Sequence, residues 1–189
     1  MTKFEILRGL PSYGPIACPF PEDGRGQFRE GLAVKFWKKS GATWVGNFQR
    51  GFTSFDQVMN YPDGHLVIVI AGGDGYVIDP DLMKQTHKFG GGLTFAIELV
   101  DLNLVLIGDN IRVGTFTVDG PGWDSGRISW DGIRNIVVNG SSLSGEAYTP
   151  IDDCWQAFGI DLLTGEVTGA VYPEQMATAV KLRRASAEE

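Results

Sequence analysis

Four short apolar runs in this chain end at nearly equal intervals. They end at Trp37, Asp79, Asp119 and Asp161, which are 42, 40 and 42 residues apart. A strand-sized segment that recurs every ~40 residues is typical of stacked or radially arranged β-modules. The spacing predicts an all-β fold of four quasi-repeats. Such modules are scaffolds, so the repeat by itself does not specify a reaction.

Glycine separates the apolar runs. The chain has 26 glycines in 189 residues, about twice the average usage, and this fits many short strands joined by tight turns. The second interval shows the pattern most clearly, with an unbroken apolar run at 66–70, a Gly-rich turn at 72–75 and a second strand at 76–79. Because its apolar residues do not alternate with polar ones, we expect the run at 66–70 to be buried on both faces of its sheet.

The domain organisation follows from the breakers and the pattern. Residues 1–30 alternate proline and glycine, which predicts an irregular N-terminal segment. Residues 31–172 are predicted to form a single all-β domain. Residues 173–189 are predicted to form a C-terminal helix and tail, because Pro173 suits a helix start. The favoured architecture is a small propeller-like disc, and a two-sheet β-sandwich or meander is the alternative.

Composition limits the partners and the compartment. The net charge is −7 and the sequence shows no basic face, so we do not expect nucleic acid as a partner; we expect no membrane either. The longest apolar stretch, residues 66–71, is too short to span a bilayer, and residues 1–8 have no apolar signal region. The only cysteines are Cys18 and Cys154, which favours a reducing, cytoplasmic location. The oligomeric state is left open.

The tract from Trp123 to Asn135 is the most polar and aromatic part of the chain. In a strand, Arg127, Ser129 and Asp131 would face one side, where such a row suits a carboxylate, a sugar or the backbone of a partner. The alternative is structural, with ion pairs to neighbouring strands and tryptophans in the core. In a propeller, the tract would edge the central channel. The candidate binding residues are Trp123, Asp124, Arg127, Ser129, Asp131 and Arg134.

Paired carboxylates near this tract suggest a second type of site. Asp131, Glu146 and Asp152 would be the catalytic residues of a glycoside hydrolase or another hydrolytic enzyme, which needs two carboxylates in one pocket. A simpler interpretation is that Asp152 and Asp153, after Pro150, form a polar turn.

We expect no cofactor and no metal. Asp79-Pro80-Asp81 offers oxygen ligands but lacks the spacing of a calcium loop, and two histidines and two cysteines without paired spacing do not define a zinc site. Strands are predicted after the glycine clusters at 72–75 and 90–92, so these are turns and not phosphate loops.

Two resemblances can be read from the sequence. The segments Phe55–Val58 and Pro62–Gly64, followed by an apolar strand and Tyr76–Asp79, resemble one blade of a hemopexin-type β-propeller, a family of four-bladed discs. That resemblance implies a propeller of about this length. Residues 123–172, with Arg127–Asn135 and Gly145–Tyr148, resemble uncharacterised bacterial proteins without a known function. Neither resemblance supplies a catalytic residue.

These observations favour a non-enzymatic protein-binding module, of the accessory or immunity type found in bacteria. The acidic charge suits a basic protein partner, because opposite charge speeds the encounter. The alternative is a carbohydrate-active or other hydrolytic enzyme. An enzyme would hold its carboxylates in a concave pocket, whereas a binding module would show a flat exposed patch with Trp or Tyr beside charges.

Overall fold

In a computed structural model the chain is all-β, and its strands form four four-stranded sheets. The structure describes residues 3–22 and 29–169, and within them the only helix is a short 3-10 turn at Val100–Leu102. This confirms the predicted all-β class. None of the helical structure in the described part is long and apolar enough to cross a membrane. The helix predicted at 173–189 lies outside the described residues.

The first two sheets are formed in the N-terminal half of the chain. The first contains β1 (Phe4–Ile6), β2 (Cys18–Phe20), β3 (Leu32–Trp37) and β4 (Thr43–Phe48), in the order β1-β3-β4-β2. The second contains β5 (Gln57–Asn60), β6 (Val67–Ala71), β7 (Asp74–Asp79) and β8 (Lys84–Gly90), in chain order. Strands β1 and β2 lie in the segment predicted to be irregular. The sequence pattern did not predict these two strands because each has only three residues. Each is defined by pairing with a longer strand, β1 with β3 and β2 in parallel with β4.

The other two sheets follow in the chain. The third contains β9 (Phe95–Leu99), β10 (Leu104–Gly108), β11 (Val113–Thr117) and β12 (Gly120–Asp124), and the fourth contains β13 (Ile133–Asn139), β14 (Ser142–Thr149), β15 (Cys154–Asp161) and β16 (Val167–Thr168). Each of these two sheets keeps neighbouring strands in chain order. Three of the evenly spaced residues, Trp37, Asp79 and Asp161, end β3, β7 and β15. The fourth, Asp119, lies in the turn between β11 and β12.

The chain divides into two compact units. Unit 1 comprises Met1–Ile107 and Phe116–Gly120, and unit 2 comprises Gly108–Thr115 and Pro121–Glu189. The third sheet therefore contributes residues to both units. The extent of a single domain over 31–172 stays a prediction.

The inner strands of the second sheet, β6 and β7, are buried within unit 1. Every residue of β6 is buried, which confirms the expectation for the apolar run. Alternate residues point to opposite faces of a strand, and they enter two different hydrophobic clusters. Val67 and Val69 join the cluster formed with the first sheet, around Phe36. Ile68 and Ile70 join the other, with residues of β9 and β10.

Glycines and aspartates form the turns that set the hairpins. Gly72 and Gly73 join β6 to β7 with φ of 56° and 84°, a left-handed backbone that glycine adopts without a steric cost. Asp161 ends β15, and its Oδ1 accepts hydrogen bonds from the backbone N–H groups of Leu163 and Thr164, both at 2.9 Å. The glycine clusters are thus turns, as predicted, and the Asp at a strand end caps the turn that follows.

The fourth sheet lies in unit 2 and alternates in burial. Along β14 the buried residues are Leu143, Gly145, Ala147 and Thr149, and the residues between them face outward. The hairpin predicted at Asn139-Gly140 is present, with Asn139 paired to Ser142 and Gly140 at a φ of 59°. One face of this sheet is therefore exposed.

Candidate functional site

The tract chosen from the sequence is a loop and not a strand. Residues 125–132 have no strand structure, and they connect β12 to β13. The predicted outward row of Arg127, Ser129 and Asp131 is wrong, because Ser129 is fully buried beside the buried Ile128. The alternation that places residues on opposite faces holds only where strand pairing fixes the backbone.

Two of the candidate binding residues hold the loop in place. The Ser129 hydroxyl donates to the Gly132 carbonyl at 2.6 Å and accepts from the Tyr148 N–H at 3.2 Å. Trp123 donates through Nε1 to the Leu162 carbonyl at 2.8 Å. The polar groups of Ser129 and Trp123 are therefore used inside unit 2.

Two further candidates hydrogen-bond within the same loop. Oδ1 of Asp124 accepts from the Gly126 N–H at 2.7 Å. Arg127 donates through Nε to the Ser129 carbonyl at 3.1 Å and through Nη2 to the Trp130 carbonyl at 2.7 Å. These contacts brace the turn, and both side chains remain at the surface.

Arg134 is the candidate that the fold places in a larger polar cluster. It pairs in register with Glu146 across β13 and β14, and its Nε donates to Glu146 Oε2 at 2.7 Å. Asn135 donates to the same oxygen through Nδ2 at 2.8 Å. These hydrogen bonds, from Arg134 first and Asn135 second, lower the pKa of Glu146, because they stabilise its charged form.

An irregularity in β13 brings Asn135 to that carboxylate. The register of β13 against β14 shifts between Arg134 and Val137, and Asn135 has a φ of 54°. A bulge of this kind re-aims side chains, and asparagine tolerates the left-handed conformation better than most residues. Two neighbouring side chains, Arg134 and Asn135, can therefore both donate to Glu146.

Two aromatic side chains complete the cluster. The Arg134 guanidinium lies 3.9 Å from the centroid of the Trp155 ring, a favourable cation–π contact. The rings of Trp155 and Tyr148 are 5.4 Å apart, and the Tyr148 hydroxyl donates to Asp153 at 2.8 Å. That hydrogen bond raises the pKa of Tyr148. We call this cluster the Arg134–Trp155 patch; its members are Arg134, Asn135, Glu146, Tyr148, Asp153 and Trp155.

The patch lies in a strongly acidic environment. The described residues of unit 2 include eight carboxylates and three arginines, a formal charge of −5, and no lysine. The described residues of unit 1 include eleven carboxylates, six lysines and three arginines, a formal charge of −2. The negative charge is thus concentrated in unit 2.

The three residues of the enzyme hypothesis differ in their surroundings. Asp131 and Asp152 are exposed, and in the described part of the chain neither has a hydrogen bond or an ion pair. Glu146 is bound by Arg134 and Asn135. A carboxylate held ionised in this way is a poor general acid, because that role needs a raised pKa.

Sequence reasoning missed Tyr148 and Trp155. The pattern contained a signal for them, because the turn predicted around Pro150–Asp153 implies a hairpin. In that hairpin Tyr148 pairs directly with Trp155, and directly opposed residues share one face of a sheet.

One group of metal-ligating side chains lies outside the patch. Among the described residues, His65, Asp79 and Asp81 of unit 1 place their ligand atoms within 4.8 Å of one another. The thiols of Cys18 and Cys154 are free, and burial raises the pKa of Cys18.

Comparison with known proteins gives only distant structural likeness. No family model matches the sequence, and no curated protein matches it. Among solved structures, a protein of unknown function from Desulfotomaculum acetoxidans DSM 771 is similar at 15% identity and a TM-score of 0.42, covering 76% of this chain and 51% of that one.

Two further solved structures are also similar. The N-terminal domain of Nup159 matches at 10% identity and a TM-score of 0.40, covering 64% of this chain and 34% of that one. A eukaryotic initiation factor matches at 11% identity and a TM-score of 0.41, covering 74% of this chain and 39% of that one. The chain spans between a third and about half of the length of these structures.

Proposed function

We propose that this chain is a non-enzymatic protein-binding module that uses the Arg134–Trp155 patch to bind a basic surface of another protein. The observation that carries the proposal is the outward face of β13–β15, on which the half-buried Trp155 ring contacts the Arg134 guanidinium and the tilted Tyr148 ring. Trp, Tyr and Arg are the residues that most often dominate binding energy at protein interfaces.

The charges around the patch indicate the chemistry of the partner. Arg134 and Glu146 neutralise each other, so the excess charge near the patch comes from the exposed carboxylates of Asp131, Asp152 and Asp153. An acidic rim around aromatic residues suits a partner that presents lysine or arginine, and it also raises the association rate.

The scaffold that we propose for this module is propeller-like, with each sheet as one blade. It is supported by four consecutive four-stranded sheets and by the second sheet, whose inner strands are buried within unit 1. The intervals of 42, 40 and 42 residues then correspond to one blade each. A cytoplasmic location of accessory or immunity type in a bacterium remains part of the proposal.

The test compares capture by three immobilised proteins from the extract of the native host. These are the unaltered chain, Trp155→Ala and Tyr13→Ala, the last replacing an aromatic residue of unit 1 that is 93% exposed. We expect the unaltered chain and Tyr13→Ala to retain one basic protein, and Trp155→Ala to bind it about 30-fold more weakly. Higher ionic strength should weaken the binding.

Retention of the same partner by Trp155→Ala would remove the patch from the interface. Absence of any partner, together with turnover of a sugar substrate that is lost in Asp131→Asn or Asp152→Asn, would replace the proposal by the hydrolase alternative. Circular dichroism and thermal unfolding of Trp155→Ala separate loss of binding from loss of fold.

A further inference from the structure

The hairpin of β6 and β7 brings a histidine to the Asp79-Pro80-Asp81 segment. In this hairpin Val67 pairs with Ile78. Continuing the same antiparallel register by two residues places His65 opposite Pro80. The imidazole therefore lies between two carboxylates that flank Pro80 in the sequence, and the sequence prediction of no metal did not include this pairing.

One distance in this group matches the separation of neighbouring ligands of one metal ion. His65 Nε2 lies 3.3 Å from Asp79 Oδ2, and His65 Nδ1 lies 3.9 Å from Asp81 Oδ2. Two ligands at about 2.0–2.1 Å from a tetrahedral zinc ion are themselves about 3.3 Å apart. One ion can thus bridge His65 Nε2 and Asp79 Oδ2. An imidazole binds one ion through one nitrogen, so Asp81, whose Oδ2 faces Nδ1, has to turn toward Nε2 to act as the third ligand; one ligand atom from each of the three residues lies within 4.8 Å of the others.

The backbone around the carboxylates is fixed. Oδ1 of Asp79 accepts from the N–H groups of Asp81 and Leu82, both at 2.9 Å, which leaves Oδ2 directed at His65. The buried Trp44 donates through Nε1 to the Pro80 carbonyl at 2.8 Å. Ligands positioned by such outer contacts bind a metal with less loss of side-chain entropy.

There is room beside the group for further ligands. A cavity of about 180 Å³ is lined by His65 and Asp81 together with Trp37 and Lys39, and Asp79 is not part of its lining. A metal ion with three protein ligands needs such space, because its remaining coordination positions are filled by water or by another small ligand.

From this geometry we propose that His65, Asp79 and Asp81 form a binding site for a divalent transition-metal ion of the zinc type. The imidazole determines the class of metal, because imidazole nitrogen suits zinc and its first-row neighbours, whereas calcium and magnesium prefer oxygen ligands throughout. The site is independent of the Arg134–Trp155 patch, and its test does not depend on a protein partner.

Lys39 forms an ion pair with Asp81, and this pair competes with metal binding. Its Nζ lies 3.5 Å from Asp81 Oδ2, and 78% of the lysine side chain is exposed. An exposed ion pair of this kind is weak, so a divalent cation can displace the ammonium group. Replacing Lys39 should therefore raise the affinity for zinc, because the ammonium group no longer competes with the metal ion for Asp81.

The experiment titrates the full, tag-free chain with zinc chloride by calorimetry and follows cobalt(II) by its visible absorption. The chain has two histidines, so His87→Ala is the matched control for His65→Ala. We expect one zinc ion per chain, a loss of affinity of at least tenfold in His65→Ala and in Asp81→Asn, no change in His87→Ala, and tighter binding in Lys39→Ala.

A failure to bind zinc at millimolar concentration would overturn the proposal. Binding that survives in His65→Ala, or is lost equally in His87→Ala, would overturn it too, since the ion would then be held elsewhere. Asp81→Asn keeps the size of the side chain, and thermal unfolding without metal shows whether each variant is folded. The imidazole NMR signals provide a second readout, in which zinc should shift those of His65 and leave those of His87 in place.

Discussion

Strands β6 and β14 are both inner strands of four-stranded sheets, but they are buried differently. All five residues of β6 are buried, and its two faces supply two hydrophobic clusters of unit 1. In β14 of unit 2 every second residue faces outward. The run of Val and Ile in β6 is stable only when both faces of the strand are packed against other residues. In β14, Leu, Gly and Ala alternate with Ser, Glu and Tyr, so only one face needs such packing.

The difference separates the part of each strand that stabilises the fold from the part that is available for binding. The apolar faces of β6 contribute through burial, at roughly 25 cal/mol per Å² of apolar surface. The outward face of β14 contributes little to packing, and it carries Glu146 and Tyr148 of the Arg134–Trp155 patch. Unit 2 therefore has a sheet face that is only partly buried.

The largest expected effect compares a buried with an exposed apolar residue. Ile70→Ala should lower the free energy of unfolding by about 2–5 kcal/mol, because it leaves a cavity where the side chain is fully buried. Val137→Ala, at a residue of β13 that is 57% exposed, should change it by no more than about 0.5 kcal/mol. Urea unfolding followed by tryptophan fluorescence measures both, and equal losses would contradict the comparison.

A smaller effect is expected for two buried hydroxyl groups of unit 2. Ser129→Ala should cost about 1–3 kcal/mol, since it removes the partner of Gly132 and Tyr148 in a buried place. Thr149 is fully buried and its hydroxyl has no hydrogen-bond partner in the described part of the chain. Thr149→Val should therefore be neutral or stabilising. Thermal unfolding of the two variants side by side checks this, and a loss of stability in Thr149→Val would reveal a partner of its hydroxyl.

The smallest effect concerns Glu146 and pH. Its pKa in the folded protein lies below the usual value of 4.5, so the stabilisation from Arg134 and Asn135 is present above that value and is lost as the pH falls through the folded pKa. Glu146→Gln should lower the Tm at pH 7 by about 2 °C or less, because the pair is exposed. The difference in Tm between the two proteins should shrink as the pH falls from 4.5 through the folded pKa of Glu146. A constant difference at all pH values would show that the effect is not electrostatic.

Local patterns predicted the hairpins and missed the loops. The apolar run before Gly72 and the Asn139-Gly140 turn were both found, because strand pairing and positive φ depend on neighbouring residues. In the loop at 125–132 polar and apolar residues alternate, and this pattern predicts a strand. Its conformation is set by long-range hydrogen bonds instead, such as that from the Ile128 N–H to the Ile111 carbonyl at 2.8 Å.

The candidate site was predicted in part for the same reason. Arg134 and Glu146 were both named from the sequence, but in different hypotheses, since nothing local showed that they face each other. The signal that would have joined them is the hairpin register, which pairs Arg134 with Glu146 and Tyr148 with Trp155.

The sequence by itself determined the all-β class, the positions of the main turns and the buried character of β6. These depend on residue type and period within a few neighbouring positions. Only the tertiary structure decided which polar side chains meet. It placed Ser129 inside unit 2, joined Arg134 to Trp155, and brought His65 to Asp79 and Asp81. Such groups are defined by register and packing between segments, and a linear pattern does not carry that information.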